Sequence, residues 1–403
     1  MRRVARLSER MQPQPPPYDP QALDAFVALA GERRWPARIA EIGRRASSGP
    51  RAGQATRQRH ALELAIERLR GTLPRPPSHA ELHAARLAGE ATALSRRLAA
   101  AGKARLRDRV RSALTGDGTL VPLFHLLHTA ALQASRGFNV KFASLDGGVP
   151  YDLLIRRGAL EAEIACEVLS ADEGRLLHRH VWSQLADRLD ADLRAWLAAC
   201  PGRYLLKLTL PQGLHGSGLA EMHDRIRRLL ASGGRHDHDD AAVLRLDPLA
   251  FARNGTDAAL MPSLRREFGP EAHLAVTAAD GGVFVMAARA GRADEVAVAM
   301  RRRLFEVAPT RLTGERPGIL AMFIDDTDRG EWRGLRDRLE LEGEARQFLA
   351  YKAARPVIAV TCASRFELLG MADAAEDGEL RFRNSAHPAA KAAALGPAIL
   401  SSV

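Results

Sequence analysis

Cysteine is rare and long apolar runs are missing from this chain of 403 residues. Its three cysteines, Cys166, Cys200 and Cys362, are too widely spaced for a paired zinc motif or a disulfide framework, so we expect a reducing compartment. No apolar run approaches the roughly 18 residues of a membrane-spanning helix, and the basic N-terminal residues lack the apolar segment of a secretory signal. These absences predict a cytoplasmic protein without a membrane partner.

Common nucleotide- and DNA-binding motifs are also missing. The chain has no glycine-rich phosphate loop of either common type, and no zinc-finger, homeodomain or basic-zipper pattern. Lysine is scarce, so arginine supplies most of the positive charge. These observations exclude the familiar modules and leave the distribution of charge and the order of elements as the informative features.

The positive charge is concentrated in the first third of the chain. Residues 1–115 contain 23 Lys and Arg against 10 Asp and Glu, a net +13, whereas the remainder carries 36 against 38, a net −2. A concentrated basic segment favours a polyanionic partner such as nucleic acid, with DNA preferred, while a solvated arginine-rich helical surface is the alternative. The candidate contacts in this region are Arg105, Arg107, Arg109 and Arg111.

Four regions can be distinguished along the chain. Residues 1–20 form a proline-rich segment predicted to be disordered, and 21–115 read as a basic helical region. Ser78 and Glu81 predict a capping box for a long helix over 79–113, and residues 46–58 read as a loop. Two α/β regions follow, at 118–210 and 219–403, the second containing a hairpin with a turn at Asp280-Gly281-Gly282.

Region 118–210 has a specific predicted order of elements. A helix over 119–135 precedes three strands, a long helix and a fourth strand. The strands are predicted at 138–144, 150–157, 160–170 and 203–210. The order is therefore helix, strand, strand, strand, helix, strand.

This order, with Pro150-Tyr151-Asp152 on the second strand and Glu167-Val168-Leu169-Ser170 ending the third, resembles the PD-(D/E)xK nuclease superfamily. The resemblance covers about 90 residues and implies an α/β, restriction-endonuclease-like αβββαβ core. It further implies that Asp152, Glu167 and the backbone carbonyl of Val168 hold Mg²⁺, a hard cation that prefers oxygen ligands. Glu163 lies on the same strand face but roughly 13 Å from Glu167, so we assign the acidic role to Glu167.

Leu169 stands where the family has its catalytic lysine. Because alternate residues of a strand share a face, Leu169 is expected on the side of Glu167, where it would place an apolar group in the metal site. The candidate replacement cations are Lys141, Lys207, Arg175 and Arg179. We assign catalytic roles to Lys141 and Lys207. We also count Arg175 and Arg179 among the candidate nucleic-acid contacts.

The leading functional hypothesis is a Mg²⁺-dependent nucleic-acid phosphodiesterase or a degenerate DNA-binding relative of one. The alternative is a non-catalytic scaffold or interaction protein that uses an inactivated nuclease fold. A third hypothesis, a small-molecule enzyme, depends only on Asp325, Asp326 and Asp328 after a C-terminal strand, which a turn and a helix start also explain.

Several histidines have both functional and structural interpretations. His125 and His128 lie on an apolar helix, which favours core positions. His178 and Trp182 share a helix face, with His180 nearby, and packing or solvent contact is the simpler interpretation for all three. The run His236-Asp237-His238-Asp239-Asp240 is interpreted as a solvated loop.

Overall fold

The computed structural model describes residues 18–71, 75–249, 257–269 and 272–401. The predicted disordered segment 1–20 therefore lies almost entirely outside the described residues. Within them, no helix is long and apolar enough to cross a membrane. The protein is an α/β protein with two mixed sheets.

The N-terminal region is helical, as predicted. Its helices are α1 (Pro20–Ala30), α2 (Arg34–Ala46), α3 (Pro50–Arg59), α4 (Ala61–Arg70), α5 (His79–Arg97) and α6 (Ala100–Ala113). The capping box of Ser78 and Glu81 begins α5. The single helix predicted over 79–113 is wrong, because Leu98 adopts an extended conformation that separates α5 from α6.

Helix α3 corrects the prediction of a loop over 46–58. The first free amides of a helix need acceptors, and here the backbone N–H groups of Arg51 and Ala52 donate to the carboxylate of Asp187, at 3.0 and 2.8 Å. Asp187 lies 136 residues away from Arg51. The composition of 46–58 indicated a loop because the acceptor that stabilises this helix comes from elsewhere in the chain.

The remaining elements alternate between strands and helices. In chain order they are α7 (Val121–Ser135), β1 (Asn139–Lys141), α8 (Ala143–Gly147), β2 (Leu153–Arg157), β3 (Leu160–Ser170), α9 (Arg179–Ala199), β4 (Arg203–Leu210), α10 (Leu219–Ala231), β5 (His236–His238), β6 (Val243–Pro248), α11 (Asp257–Phe268), β7 (His273–Ala279), β8 (Gly282–Ala290), α12 (Val296–Arg311), β9 (Gly318–Asp325), α13 (Arg329–Asp337), α14 (Glu340–Leu349), β10 (Val357–Ala363), α15 (Arg365–Leu368), β11 (Leu380–Arg383) and α16 (Gly396–Ile399). The hairpin of β7 and β8 is confirmed, with Asp280 and Gly281 at positive φ in its turn. Strands β5 and β11 were not predicted.

The first sheet has the strand order β1-β2-β3-β9-β10-β11. Strands β1, β2 and β3 form an antiparallel meander, and β9 then pairs parallel to β3, with Glu167 opposite Met322 and Ser170 opposite Asp325. The strand predicted at 203–210 has the right bounds, but its prediction as the fourth strand of this sheet is wrong, because it belongs to the second sheet. The boundary placed between 210 and 219 is also not a boundary between sheets, since β4 shares the second sheet with later strands and β9, β10 and β11 complete the first.

The second sheet has the order β5-β6-β4-β8-β7 and is formed by the chain between β3 and α12. Helices α9 and α10 cover one of its faces, and α11 lies over the other. The ends of this segment meet, because the amide of Glu295 donates to the carbonyl of Gly174 at 2.8 Å. Residues 175–294 are therefore an insertion within the parallel crossover from β3 to β9.

Two helical layers cover the first sheet around β3. Helix α7 packs on the face that carries Ile155, Ala162 and Ile164. Helix α12 packs on the opposite face, against Ala165 and Leu169. The N-terminal helices share a core with α7 and Phe323 of β9, so the basic region is an integral part of the fold.

The closure of the insertion gives a test of this architecture. A Cβ atom on Gly174 would lie 2.5 Å from the Cα of Val296, so we expect Gly174→Ala to destabilise the protein by about 1–3 kcal/mol through overpacking. Gly43→Ala is the matched control, because Gly43 lies inside α2 with no atom within 4 Å of its Cβ position. That control should stabilise the protein by up to about 1 kcal/mol. Urea unfolding measures both changes, and equal effects would contradict the close approach of Gly174 to Val296.

Candidate active site

Asp152 lies immediately before β2 and its side chain is only 2% exposed. One carboxylate oxygen accepts hydrogen bonds from Ser144 Oγ at 3.2 Å and from an Arg109 guanidinium nitrogen at 2.7 Å. The other accepts from the backbone N–H of Cys166 at 2.9 Å and from Arg311 at 2.6 Å. Two arginines therefore compensate a buried carboxylate whose desolvation would otherwise be costly.

Glu167 lies on β3 on the same side as Arg311, and the Arg311 guanidinium bonds to its carboxylate. Burial raises the pKa of Glu167 above its ordinary value, although the charge of Arg311 acts in the opposite direction. Arg311 also donates from Nε to the carbonyl of Pro150 at 2.8 Å. One guanidinium group thus joins the backbone before Asp152 to both predicted carboxylates.

Arg311 is the functional candidate that sequence reasoning missed. It is the last residue of α12 and lies 144 residues after Glu167. No local motif marks it, because its approach to Asp152 and Glu167 depends on the packing of α12 against β3. Its side chain is 28% exposed and is reachable from solvent.

Leu169 corrects the prediction that an apolar side chain enters the metal site. It is fully buried in the core cluster shared by β3, β9 and α12, which also contains Met300 and Leu304. Leu169 lies on the same face of β3 as Glu167, as predicted. After Glu167, helix α12 covers that face. Residue 169 therefore contributes to packing.

The predicted replacement cations do not contact the carboxylate pair. Lys207 lies in the second sheet, and its Nζ is 3.4 Å from Asp247. Lys141 is exposed on the edge strand β1, opposite Leu154. No ion pair connects Lys141 to another residue of the described ranges.

Arg175 and Arg179 form ion pairs elsewhere. The Arg175 side chain is 1% exposed and bonds to Asp172 at 2.7 Å and to Glu331, so it is not available as a nucleic-acid contact. Arg179 bonds to Asp328 at 3.0 Å and to Glu331 at 2.8 Å. Both arginines hold α13 against the start of the insertion.

The arginines predicted as nucleic-acid contacts on α6 divide into two groups. Arg105 donates to the carbonyls of Leu145 and Asp146 at the end of α8, at 2.7 and 2.6 Å, and Arg109 binds Asp152. These two position the site from within the protein. Arg107 and Arg111 are exposed, and Arg111 lies 3.3 Å from Asp108.

Glu163 lies apart from the carboxylate pair. It is fully buried, and its carboxylate accepts the backbone N–H of Thr313 at 2.9 Å and the Thr313 hydroxyl at 2.5 Å. Glu163 therefore fixes the connection between α12 and β9. Thr313 lies two residues after Arg311, so this contact also helps to hold the end of α12 in place.

The other predicted candidates have structural roles. His125 is buried in the core, as expected, with Nε2 3.0 Å from the carbonyl of Ala321, and burial lowers its pKa to about 4. Asp328 caps α13 together with Glu331. Asp326 adopts a positive φ of 59°, and burial together with the neighbouring Asp325 raises its pKa. The loop predicted at 236–240 is wrong in part, because His236–His238 form β5.

The environment of Leu169 gives a second test. We expect Leu169→Lys to destabilise the protein by at least the roughly 2–5 kcal/mol that leucine truncation costs in a core, because a charge is buried as well. Leu160→Lys is the control, since Leu160 begins the same strand but is 38% exposed. Its effect should stay within about 0.5 kcal/mol. A Leu169→Lys protein with an unchanged thermal midpoint would contradict the packing of residue 169 against α12.

No known family model, curated protein or solved structure matches this chain. A functional assignment must therefore be argued from the residues and contacts of the chain itself.

Proposed function

We propose that this protein is a Mg²⁺-dependent nucleic-acid phosphodiesterase with a restriction-endonuclease-like core, in which Arg311 replaces the missing lysine. The order of elements supports the core. With residues 175–294 treated as an insertion and the one-turn helix α8 counted as part of the connection from β1 to β2, the order α7, β1, β2, β3, α12, β9 is αβββαβ. The parallel pairing of β9 with β3 is the pairing that this core requires.

The donor set fits a hard divalent cation. Asp152 and Glu167 offer carboxylate oxygens from neighbouring segments, joined by contacts to the same guanidinium group. Val168 would supply its carbonyl, as the family resemblance implies. A bound Mg²⁺ would stabilise charge on the phosphate and lower the pKa of a coordinated water.

The proposal depends on the contacts of Arg311. Its guanidinium contacts both carboxylates and retains solvent exposure, so a phosphate can also reach it from solvent. Guanidinium groups suit this role because they bind phosphate oxygens with two parallel hydrogen bonds. Arg109 remains on the opposite oxygen of Asp152 and holds that carboxylate in position.

A second candidate, the degenerate DNA-binding relative, is favoured by the saturation of Asp152. Its two oxygens already accept four hydrogen bonds, two of them from arginines. A cation that binds Asp152 must displace one of these donors. If Arg311 stays bound to Asp152, no cation would bind there, and the fold would bind nucleic acid without cleaving it.

Cleavage of labelled DNA in Mg²⁺ or Mn²⁺ separates the two candidates. We expect Asp152→Asn and Glu167→Gln to abolish metal-dependent cleavage. Arg311→Gln should lower the rate by about 10²–10⁴, the range for a positioned catalytic group, and Arg311→Lys should retain part of it.

The control is Glu161→Gln. Glu161 lies on β3, as Glu167 does, but its carboxylate pairs with Arg316. This substitution should leave the rate unchanged. If the wild-type protein binds DNA but shows no metal-dependent cleavage, the degenerate DNA-binding relative is the better assignment.

The salt dependence of DNA binding tests the basic region. Because the N-terminal helices share the core of the fold, substitution is preferable to truncation of residues 1–115. Four cations on α5 and α6 make neither an ion pair nor a side-chain hydrogen bond within the described chain: Arg96, Arg97, Lys103 and Arg107. Changing all four to glutamine should reduce the log–log salt slope by about 0.9 for each DNA phosphate that these side chains neutralise in the wild-type complex.

The matched control changes four exposed cations outside this region: Arg289, Arg302, Arg355 and Lys391. We expect this variant to keep the wild-type slope. Equal slopes for all three proteins in fluorescence-anisotropy titrations would contradict a role for the basic helices in DNA binding.

A further inference from the structure

A second group of metal-binding side chains lies where the chain leaves the first sheet. Each of Asp172, His178 and His180 offers a ligand atom, and these atoms lie within 4.8 Å of one another. The carboxylate Oδ2 of Asp172 is 3.8 Å from Nδ1 of His180. In the described part of the chain this is the only group of three or more such side chains with this spacing.

Local backbone structure brings the two imidazoles together. His178 precedes α9 in an extended conformation, with φ −73° and ψ 139°, and its side chain does not cap the helix. His180 follows in the first turn of α9, and the two ring centroids are 5.9 Å apart. Neither imidazole is therefore needed to begin the helix.

Arg175 fixes the carboxylate of the group. Its buried guanidinium donates to Oδ1 of Asp172 at 2.7 Å, whereas Oδ2 is the oxygen on the side of His180. Carboxylate ligands of metal ions are commonly held by such an outer hydrogen bond, which sets their orientation. Asp172 lies in the 3₁₀ turn Ala171–Gly174, directly after β3.

The ligand types select the class of metal. Imidazole nitrogen suits zinc, copper, iron and nickel, whereas Mg²⁺ prefers oxygen ligands. Tetrahedral bonds of about 2.0–2.1 Å place ligand atoms roughly 3.4 Å apart. The ligand atoms here are 3.8 Å apart for Asp172 and His180 and within 4.8 Å for all three residues, so side-chain rotation would have to bring them closer around an ion. His180 is 61% exposed, so water can reach the group.

We propose that Asp172, His178 and His180 form a binding site for a divalent transition-metal ion of the zinc class. The ion would join the turn after β3 to the start of α9, and so would brace the entry to the insertion. The site is separate from Asp152 and Glu167, and the proposal does not depend on the nuclease assignment.

The test uses the full chain without a histidine tag. Zn²⁺ affinity is measured by isothermal titration calorimetry, and Co²⁺ serves as a spectroscopic probe because its visible absorption reports imidazole coordination. We expect one ion per chain in the wild-type protein. The double variant His178→Gln/His180→Gln should bind Zn²⁺ more weakly by a factor larger than the roughly 10–100-fold caused by removing an orienting partner.

The matched control is His236→Gln/His238→Gln. This second His-x-His pair has ring centroids 5.1 Å apart, but the intervening Asp237 is held by Arg225. We expect wild-type affinity in the control. Circular dichroism checks that all the variants are folded.

Three results would overturn the proposal. The first is a wild-type protein with no Zn²⁺ binding and no visible Co²⁺ bands. The second is equal affinity in the wild-type protein and the double variant. The third is a decrease in affinity in the His236/His238 control as large as that in the double variant.

Discussion

The parallel pairing of β3 with β9 is the constraint on which the rest of the structure depends. Parallel neighbours cannot be joined by a tight turn and need a crossover that returns the chain to the same end of the sheet. Here the crossover contains α12 and the whole second sheet. Because α12 must cover the apolar face of β3, Leu169 becomes core and Arg311, at the end of α12, reaches Asp152 and Glu167.

Arginine–carboxylate pairs connect parts of the protein that are far apart in sequence. Arg51 of α3 pairs with Asp187 and Asp190 of α9. Arg59, on the same helix as Arg51, pairs with Asp326 after β9. Much of the arginine content that suggested a polyanionic partner is therefore used within the fold.

These pairs also limit how the protein can be altered. Removing one partner of a buried pair leaves an uncompensated charge, at a cost of about 3–5 kcal/mol. Arg175, for example, compensates Asp172 and Glu331 together. Exposed cations that form no ion pair with any described residue, such as Arg107, are the better targets for testing nucleic-acid binding, because changing them should leave the fold intact.

The two proposed metal sites occupy successive stretches of one strand and its following turn. Glu167 is on β3, and Asp172 follows in the turn that ends it. Their surroundings differ, since arginines 109 and 311 neutralise the Asp152 site, whereas two imidazoles accompany Asp172. Differences in ligand type would let the two sites select different ions.

The sequence by itself determined the features that arise from short-range preferences. The bounds of β3, the capping box of Ser78 and Glu81, and the turn at Asp280-Gly281 were predicted correctly from local patterns. Only the tertiary structure decided that β9 pairs with β3, that Asp187 caps α3 and that Arg311 joins the two carboxylates. Those outcomes depend on burial and on charge pairing between residues more than 130 positions apart, for which a local sequence pattern carries no signal.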